Sequence, residues 1–435
     1  MTHTIHALDY EARGVTRING KTVFVQNALP LETVCIQMDK DKGSYAEAHA
    51  THIVQASPHR IAPPCAYFGE CGGCALQHAD FGAQVAMKQR IFEEQLQRIG
   101  KVFPKTLLPP IYGTPWHYRS RTRLSVFVDK NGQVQIGYQA KKSRKIIAIN
   151  HCAVLPQHVS GSLKTLRDHL QDCHRAAPKA RLQSVEISVG EHISVVNIIA
   201  NQALPHKLLT QLSGSLNALG AEKWQVWQQI PPKNAQAIAP QNVPELSYSL
   251  PEFGLTMPFR VGDFTQINLP MNEMMVARAM RLLQPQAHEK IADLFCGLGN
   301  FTLPIARSGA QVIGIEGADF LTQRAIANAH ANGLPHVQFA TADLFETTHQ
   351  DIEKLGYFDK MLLDPPRAGA YAVVQALHAP FLPKRIVYVS CNPATFARDA
   401  AVLVEKGYVF QSAGIMNLFP HTAHVEAIAL FDLEK

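Results

Sequence analysis

No uninterrupted apolar run in the 435 residues approaches the roughly 18 that a membrane-spanning helix needs. The start, Met1 to Tyr10, has neither a basic region nor a hydrophobic stretch of the kind that targets a chain for export. The expectation is a soluble, cytoplasmic protein that engages no membrane. Charged residues are scarce at 17%, while 46% hydrophobic content supplies a sizeable core and excludes wholesale disorder and collagen-like sequence. No internal repeat is readable. At roughly 100–200 residues per domain, the length points to about three folding units.

The net charge is only +6, but the excess is concentrated. Between Gly113 and Asn150 stand Arg119, Arg121, Arg123, Lys130, Lys141, Lys142, Arg144 and Lys145 against one acid, Asp129. Trp116, Tyr118, Phe127 and Tyr138 lie among them. Basic side chains neutralise phosphates and flat rings stack on bases, so the segment fits a nucleic acid, with RNA or DNA undecided. The plainer alternative is a solvated β-hairpin about Asn131-Gly132.

Without an export signal the eight cysteines do not read as a disulfide framework. Cys65-x5-Cys71-Gly-Gly-Cys74 brings three thiols close together, and Cys152, after the strand-like run Lys145 to Asn150, is the natural fourth. Four thiolates suit a tetrahedral zinc or an iron–sulfur cluster, and spacing does not separate them. His78 and His151 keep a Cys3His zinc site open. Cys35 and Cys173 read as ordinary packed thiols.

Residues 1–60 alternate as short strands, with an Asn19-Gly20 hairpin signal, and read as a small β-barrel. Val85, Phe92, Leu96 and Ile99 mark one face of a helix over 83–100, with charged residues between. Residues 151–250 alternate helical and strand-like segments, and Ile230 to Pro244 is a Pro-rich loop. After Pro251 a βα alternation predicts a parallel sheet flanked by helices.

Chemistry gathers at the ends of those strands. Ile291 to Ala306 reads as strand, glycine turn and helix, with Gly297 and Gly299 permitting close backbone approach to a ligand. The third glycine of the dinucleotide fingerprint is missing, and no Gly-Lys-Ser/Thr follows. Glu316 ends the next strand, where a carboxylate can accept from both ribose hydroxyls of an adenosine, and Asp343 can accept from an adenine amino group. Each singly could be a helix cap. Acidic tips without a phosphate loop favour S-adenosylmethionine over NAD or ATP. Asp364, in Asp364-Pro-Pro-Arg367, stands at the crevice edge. Cys391, in Ser390-Cys-Asn-Pro393, stands at the next strand mouth as a candidate nucleophile. Cys296 reads as packing beside the turn.

Together, Asp293-Leu-Phe-Cys-Gly-Leu-Gly-Asn-Phe-Thr302, Asp364-Pro-Pro-Arg-Ala-Gly369, Ser390-Cys-Asn-Pro-Ala-Thr-Phe-Ala-Arg-Asp399 and Phe419-Pro-His-Thr-Ala-His-Val-Glu426 resemble the RNA uracil-5-methyltransferases. Cys65-x5-Cys-Gly-Gly-Cys-x2-Gln-His and the leading barrel, which resembles a TRAM domain, point to the branch that acts on 23S ribosomal RNA. The resemblance implies a Rossmann-like methyltransferase domain over 251–435, a TRAM-like barrel over 1–60, and between them, over 61–250, an α+β domain with a four-iron, four-sulfur (4Fe-4S) cluster on Cys65, Cys71, Cys74 and Cys152, zinc being the runner-up. It places Gln266, Phe295, Asn300, Glu316, Asp343 and Asp364 at the methyl donor, though relatives often carry Asn where Asp343 stands. Cys391 would add to uracil C6, C5 would take the methyl group, and Glu426 would remove the C5 proton so that the thiol leaves. His421 and His424 read as local hydrogen-bonders. The implied partner is 23S ribosomal RNA, not DNA; a monomer is expected, because the partner is large and no symmetric apolar patch is readable. Another ribosomal uridine or a transfer RNA uridine, and a non-catalytic RNA-binding assembly factor, are the rival readings. Amino-nitrogen methylation is disfavoured, since Arg367 stands where such enzymes want an aromatic ring and that chemistry has no use for Cys391.

Overall fold

The computed structural model describes residues 1–141, 143–239 and 245–434; Lys142 of the basic segment and 240–244 of the Pro-rich loop lie outside the described residues. The chain divides into two compact units, one of Met1–Gln84, Thr114–Leu246 and Pro420–Ala423, the other of Val85–Gly113, Ser247–Phe419 and His424–Lys435.

In the first unit, residues 2–55 form a six-stranded sheet. The Asn19-Gly20 turn joins Gly14–Ile18 to Lys21–Gln26 with both turn residues at positive φ, as a two-residue hairpin requires. Period-2 alternation buries Val23, Val25, Val34, Ala46 and Ala48 on one face, with Ile5. A second sheet has seven strands, the central ones being Arg121–Val128, Leu182–Val189 and Ser194–Ala200. Helix Gln157–Ala176 buries Val159, Leu163, Leu166, Leu170 and Cys173, a helical spacing that packs them into the core beneath this sheet.

The second unit holds the predicted α/β alternation as a nine-stranded sheet. Lys290–Leu294 lies between Gln311–Glu316 and Lys360–Leu363, followed outward by Arg385–Ser390, Glu426–Leu433 and Tyr408–Asn417. The first four pair in parallel, whereas Glu426–Leu433 runs antiparallel to both its neighbours. Hydrophobic runs such as Ile386, Val387, Tyr388 and Val389 are buried throughout, as strands covered on both faces must be.

Residues 85–113, placed by the sequence in a central domain, belong to this second unit. The apolar face of helix Phe81–Gln95 explains it: Phe92 stacks on Phe396 at 5.7 Å between ring centroids. Thr106–Leu107 and Ile111–Tyr112 then extend the sheet beside Tyr408–Asn417. Ile99, expected on the buried face, is 46% exposed, because the helix changes to wider π turns over Leu96–Gly100 and the face rotates away.

Candidate active site

Successive strands of the second unit carry the candidate groups at their carboxyl ends, where open α/β sheets bind ligands. After Lys290–Leu294 the backbone turns through positive φ at Phe295, Gly297 and Gly299. Glu316 accepts from the Gly297 amide at 2.9 Å and from the Ala318 amide at 3.1 Å. That holds its carboxylate against the turn. The Phe295 ring lies 5.7 Å from that of Phe345, which is exposed and offers a flat apolar wall. Asp343 is exposed, with one oxygen accepting from the Phe345 amide at 2.8 Å. Gln266 is half-buried in the segment leading into helix Leu269–Leu283. Asn300 makes a reciprocal amide pair with Asn272, both bonds 2.9 Å, and accepts from Tyr248 at 2.8 Å. Its side chain therefore braces the turn.

Asp293 was not singled out by sequence reasoning. It is fully buried; one oxygen accepts from Thr302, and the other has no hydrogen-bond partner among the described residues. Burial pushes it up to about 8, with Asp364 and Glu316 adding repulsion. An acceptor left unpaired in the interior is costly, and here it stands beneath the glycine turn. A carboxylate inside a strand that reads as buried and apolar was the available signal.

The second cluster joins Asp364, Arg367, Cys391 and Glu426. Burial pushes Asp364 up to about 7. Burial is also the main reason Glu426 rises to about 8, with Asp364 adding repulsion and Lys88 and Arg367 opposing it. Cys391 is raised to about 12 by burial, then by Glu426 and Asp364, against Arg367. At rest it is a thiol. Its turn is rigid: the Asn392 amide donates to Ser390 Oγ at 3.1 Å, and Asn392 Oδ1 caps helix Pro393–Glu405 through the Ala394 amide at 3.1 Å. Asn392 Nδ2 and Thr395 Oγ1 both donate to the Arg367 carbonyl, tying this turn to the Asp364 loop. His424 bonds Arg367 Nη2 at 2.8 Å. His421 donates its amide to Gln84 at 2.8 Å. Both histidines bond to partners far from them along the chain. Cys296 is buried beside the turn.

In the first unit, Cys65, Cys71, Cys74 and Cys152 line one cavity of about 80 Å³ together with Tyr138 and His151. Cys74 is pushed up to about 12 by burial, and the charges of Cys152, Cys71 and Cys65 add to the rise, so the thiols feel one another. His78 is buried behind Phe68, 5.3 Å between ring centroids. Among the described residues no group of three or more His, Cys, Asp or Glu converges so as to hold a metal ion. The Asn131-Gly132 hairpin tip is closed by Asp129, which accepts from the Asn131 and Gln133 amides. Tyr118 bonds the Pro420 carbonyl and Tyr138 bonds Thr122, so these rings serve the interior. Arg13, Arg123 and Lys141 line an open groove of about 730 Å³.

Residues 84–433 match the family model described as tRNA (uracil-5-)-methyltransferase. The chain is 50% identical over 430 residues to a protein of Neisseria lactamica named 23S rRNA (uracil(1939)-C(5))-methyltransferase RlmD, covering 99% of this chain and 95% of the relative. A Dechloromonas aromatica protein of the same name is 50% identical over 438 residues, covering 99% of each. Among solved structures, the tRNA (uracil-54, C5)-methyltransferase of Pyrococcus abyssi, in complex with S-adenosyl-L-homocysteine, superposes with a TM-score of 0.74. It covers 99% of this chain and 100% of its own, at 22% identity, a likeness of fold.

Proposed function

The chain belongs to the tRNA (uracil-5-)-methyltransferase family, and we propose from that premise that it transfers a methyl group from S-adenosylmethionine to C5 of uridine 1939 in 23S ribosomal RNA, as its half-identical relatives are named for doing. The observation that carries the reading is the pairing of Cys391 with Glu426, whose charge is close enough to raise the thiol, at the ends of neighbouring strands.

C5 of a resting uracil is a poor nucleophile. Addition of the Cys391 sulfur to C6 turns the ring into an enolate, and C5 becomes nucleophilic. S-adenosylmethionine supplies an electrophilic methyl group on a sulfonium. Glu426 then takes the C5 proton, the double bond re-forms, and Cys391 departs. A thiol raised by burial needs help to ionise, and Arg367 provides a lowering charge. The target base cannot meet Cys391 while stacked, so it is flipped out. Glu316, Asp343, Asp364, Phe295, Gln266 and Asn300 would form or brace the donor pocket, whose acidic lining suits a cationic sulfonium and ammonium. Glu316→Gln should weaken S-adenosylhomocysteine binding by roughly 10- to 100-fold, the loss of a charge-assisted hydrogen bond, read by isothermal titration calorimetry.

Residues 1–60, and 61–84 with 114–246, would act as a TRAM-like module and a cluster-bearing domain that hold the flanking RNA, the groove with Arg123 and Lys141 supplying positive charge. Four thiols that share one cavity supply the donor set of a 4Fe-4S cluster, with zinc the alternative. Cys65, Cys71, Cys74 and Cys152 would hold it, and it would tie their loops together. Protein purified without oxygen should be brown with about four irons per chain, and Cys74→Ser should lose them; stoichiometric zinc without iron would overturn the cluster. No described helix is long and apolar enough to cross a membrane; a cytoplasmic monomer acting on RNA and not DNA fits the proposal.

The deciding assay incubates the protein with radiolabelled S-adenosylmethionine and unmodified 23S, 16S and transfer RNA. Label recovered as 5-methyluridine in 23S RNA alone supports reaction and substrate together. Label in transfer RNA keeps the chemistry and replaces the substrate, and no label in any of them favours a non-catalytic RNA-binding factor.

A further inference from the structure

On helix Phe81–Gln95, Lys88 lies one turn from both Val85 and Phe92, on the face that packs inward. It is 1% exposed, although lysine is almost never fully buried without a partner. Its ammonium donates to Asn417 Oδ1 and to the Phe419 carbonyl, both at 2.8 Å. These acceptors stand at and just past the end of strand Tyr408–Asn417, where Met416 pairs with Glu426. Both are neutral. They fix the position of Nζ; burial pushes the ammonium down to about 7, and the charge that opposes that fall is Glu426, 6% exposed.

We propose that Lys88 is a positioning residue for proton removal: its ammonium, pinned by Asn417 and Phe419, favours the ionised form of the Glu426 carboxyl that accepts the C5 proton. The inference rests on Glu426 being the base. In that step the C5–H bond breaks toward the Glu426 carboxylate. Its electron pair re-forms the C5–C6 double bond, and the C6–Sγ bond breaks to release the Cys391 thiolate. Lys88 touches neither base nor donor. The other groups facing Glu426 are Asp364, which opposes its ionisation, Arg367, which supports it, and the Cys391 thiol.

Lys88→Met keeps most of the apolar stem and removes the charge. Burial and Asp364 then act on Glu426 against Arg367 alone, so a higher pH is needed to ionise it. The midpoint of the pH profile for product release should move up by about one unit or more, a loss of about tenfold at neutral pH. The rate of covalent adduct formation should not fall, and Lys88→Arg should restore the profile. In a Glu426→Gln background, Lys88→Met should add nothing, since the group it acts through is gone. If Lys88→Met does not fold, Lys88→Gln, which keeps an N–H donor for Asn417, carries the same readout. A neutral variant with an unshifted profile, or Lys88→Arg shifted as far as Lys88→Met, overturns the role. Normal turnover by Glu426→Gln alone would instead remove the base assignment beneath it.

Discussion

Cys391→Ala should lower methyl transfer by roughly four orders of magnitude or more, the scale of loss when a covalent nucleophile is removed, while S-adenosylhomocysteine binding stays within a few fold. The two effects separate because the groups do. Glu316 lies against the glycine turn two strands from Cys391, and among the described residues no hydrogen bond from the Cys391 side chain supports that turn. Asn392, Ser390 and Thr395 hold the nucleophile's turn through their own atoms, so trimming a half-buried thiol to a methyl group leaves that scaffold standing. Single-turnover transfer of a labelled methyl group and calorimetric titration read the two quantities. Retained turnover would remove the nucleophile assignment. Loss of both together would mean that Cys391 shapes the donor pocket.

What the sequence discloses about this site follows from geometry that repeats. In a parallel sheet every strand points its carboxyl end to one edge, so Glu316 and Cys391 could be placed as soon as the strands were recognised. Asn300 shows where that reasoning stops. Its amide is held by Asn272 and Tyr248, 28 and 52 residues away along the chain, and local pattern says nothing of such partners. Helix Phe81–Gln95 divides the same way. Its period shows which face is buried but not against what, so residues 85–113 were grouped with their neighbours in sequence and not with Phe396. Lys88 was passed over as one of the charges between apolar positions; counting its place on the wheel would have put it inside. Cys65, Cys71, Cys74 and Cys152 were legible as a group, yet the choice between one metal ion and a cluster depends on how far apart their sulfurs lie, which spacing along a chain does not fix.

Glu426→Gln should stall the enzyme after methyl transfer, leaving RNA covalently bound to Cys391. Addition and methylation do not need the carboxylate; elimination does, because the C5 proton must leave before the sulfur can. Gln has nearly the shape of Glu and removes a buried negative charge that Asp364 repels, so the fold should tolerate it. Lys88 loses the charge that supports its protonation and becomes easier to neutralise. A denaturing gel should show a slower band containing both protein and labelled methyl group, absent from Cys391→Ala. In the wild type, burial raises Glu426 to about 8. The carboxylate fraction, and with it the rate of product release, should therefore climb as pH rises from about 7 to 9, one decade per unit below the pKa. Cys391 is raised further, so its ionisation also favours alkaline conditions, but it governs adduct formation and not release. Measuring the two steps separately assigns each slope to its group. A Glu426→Gln enzyme that still forms adduct and never releases product would locate the proton acceptor at Glu426; one that releases 5-methyluridine at the wild-type rate would place the base elsewhere in the pocket, with Asp364 a carboxylate left to test.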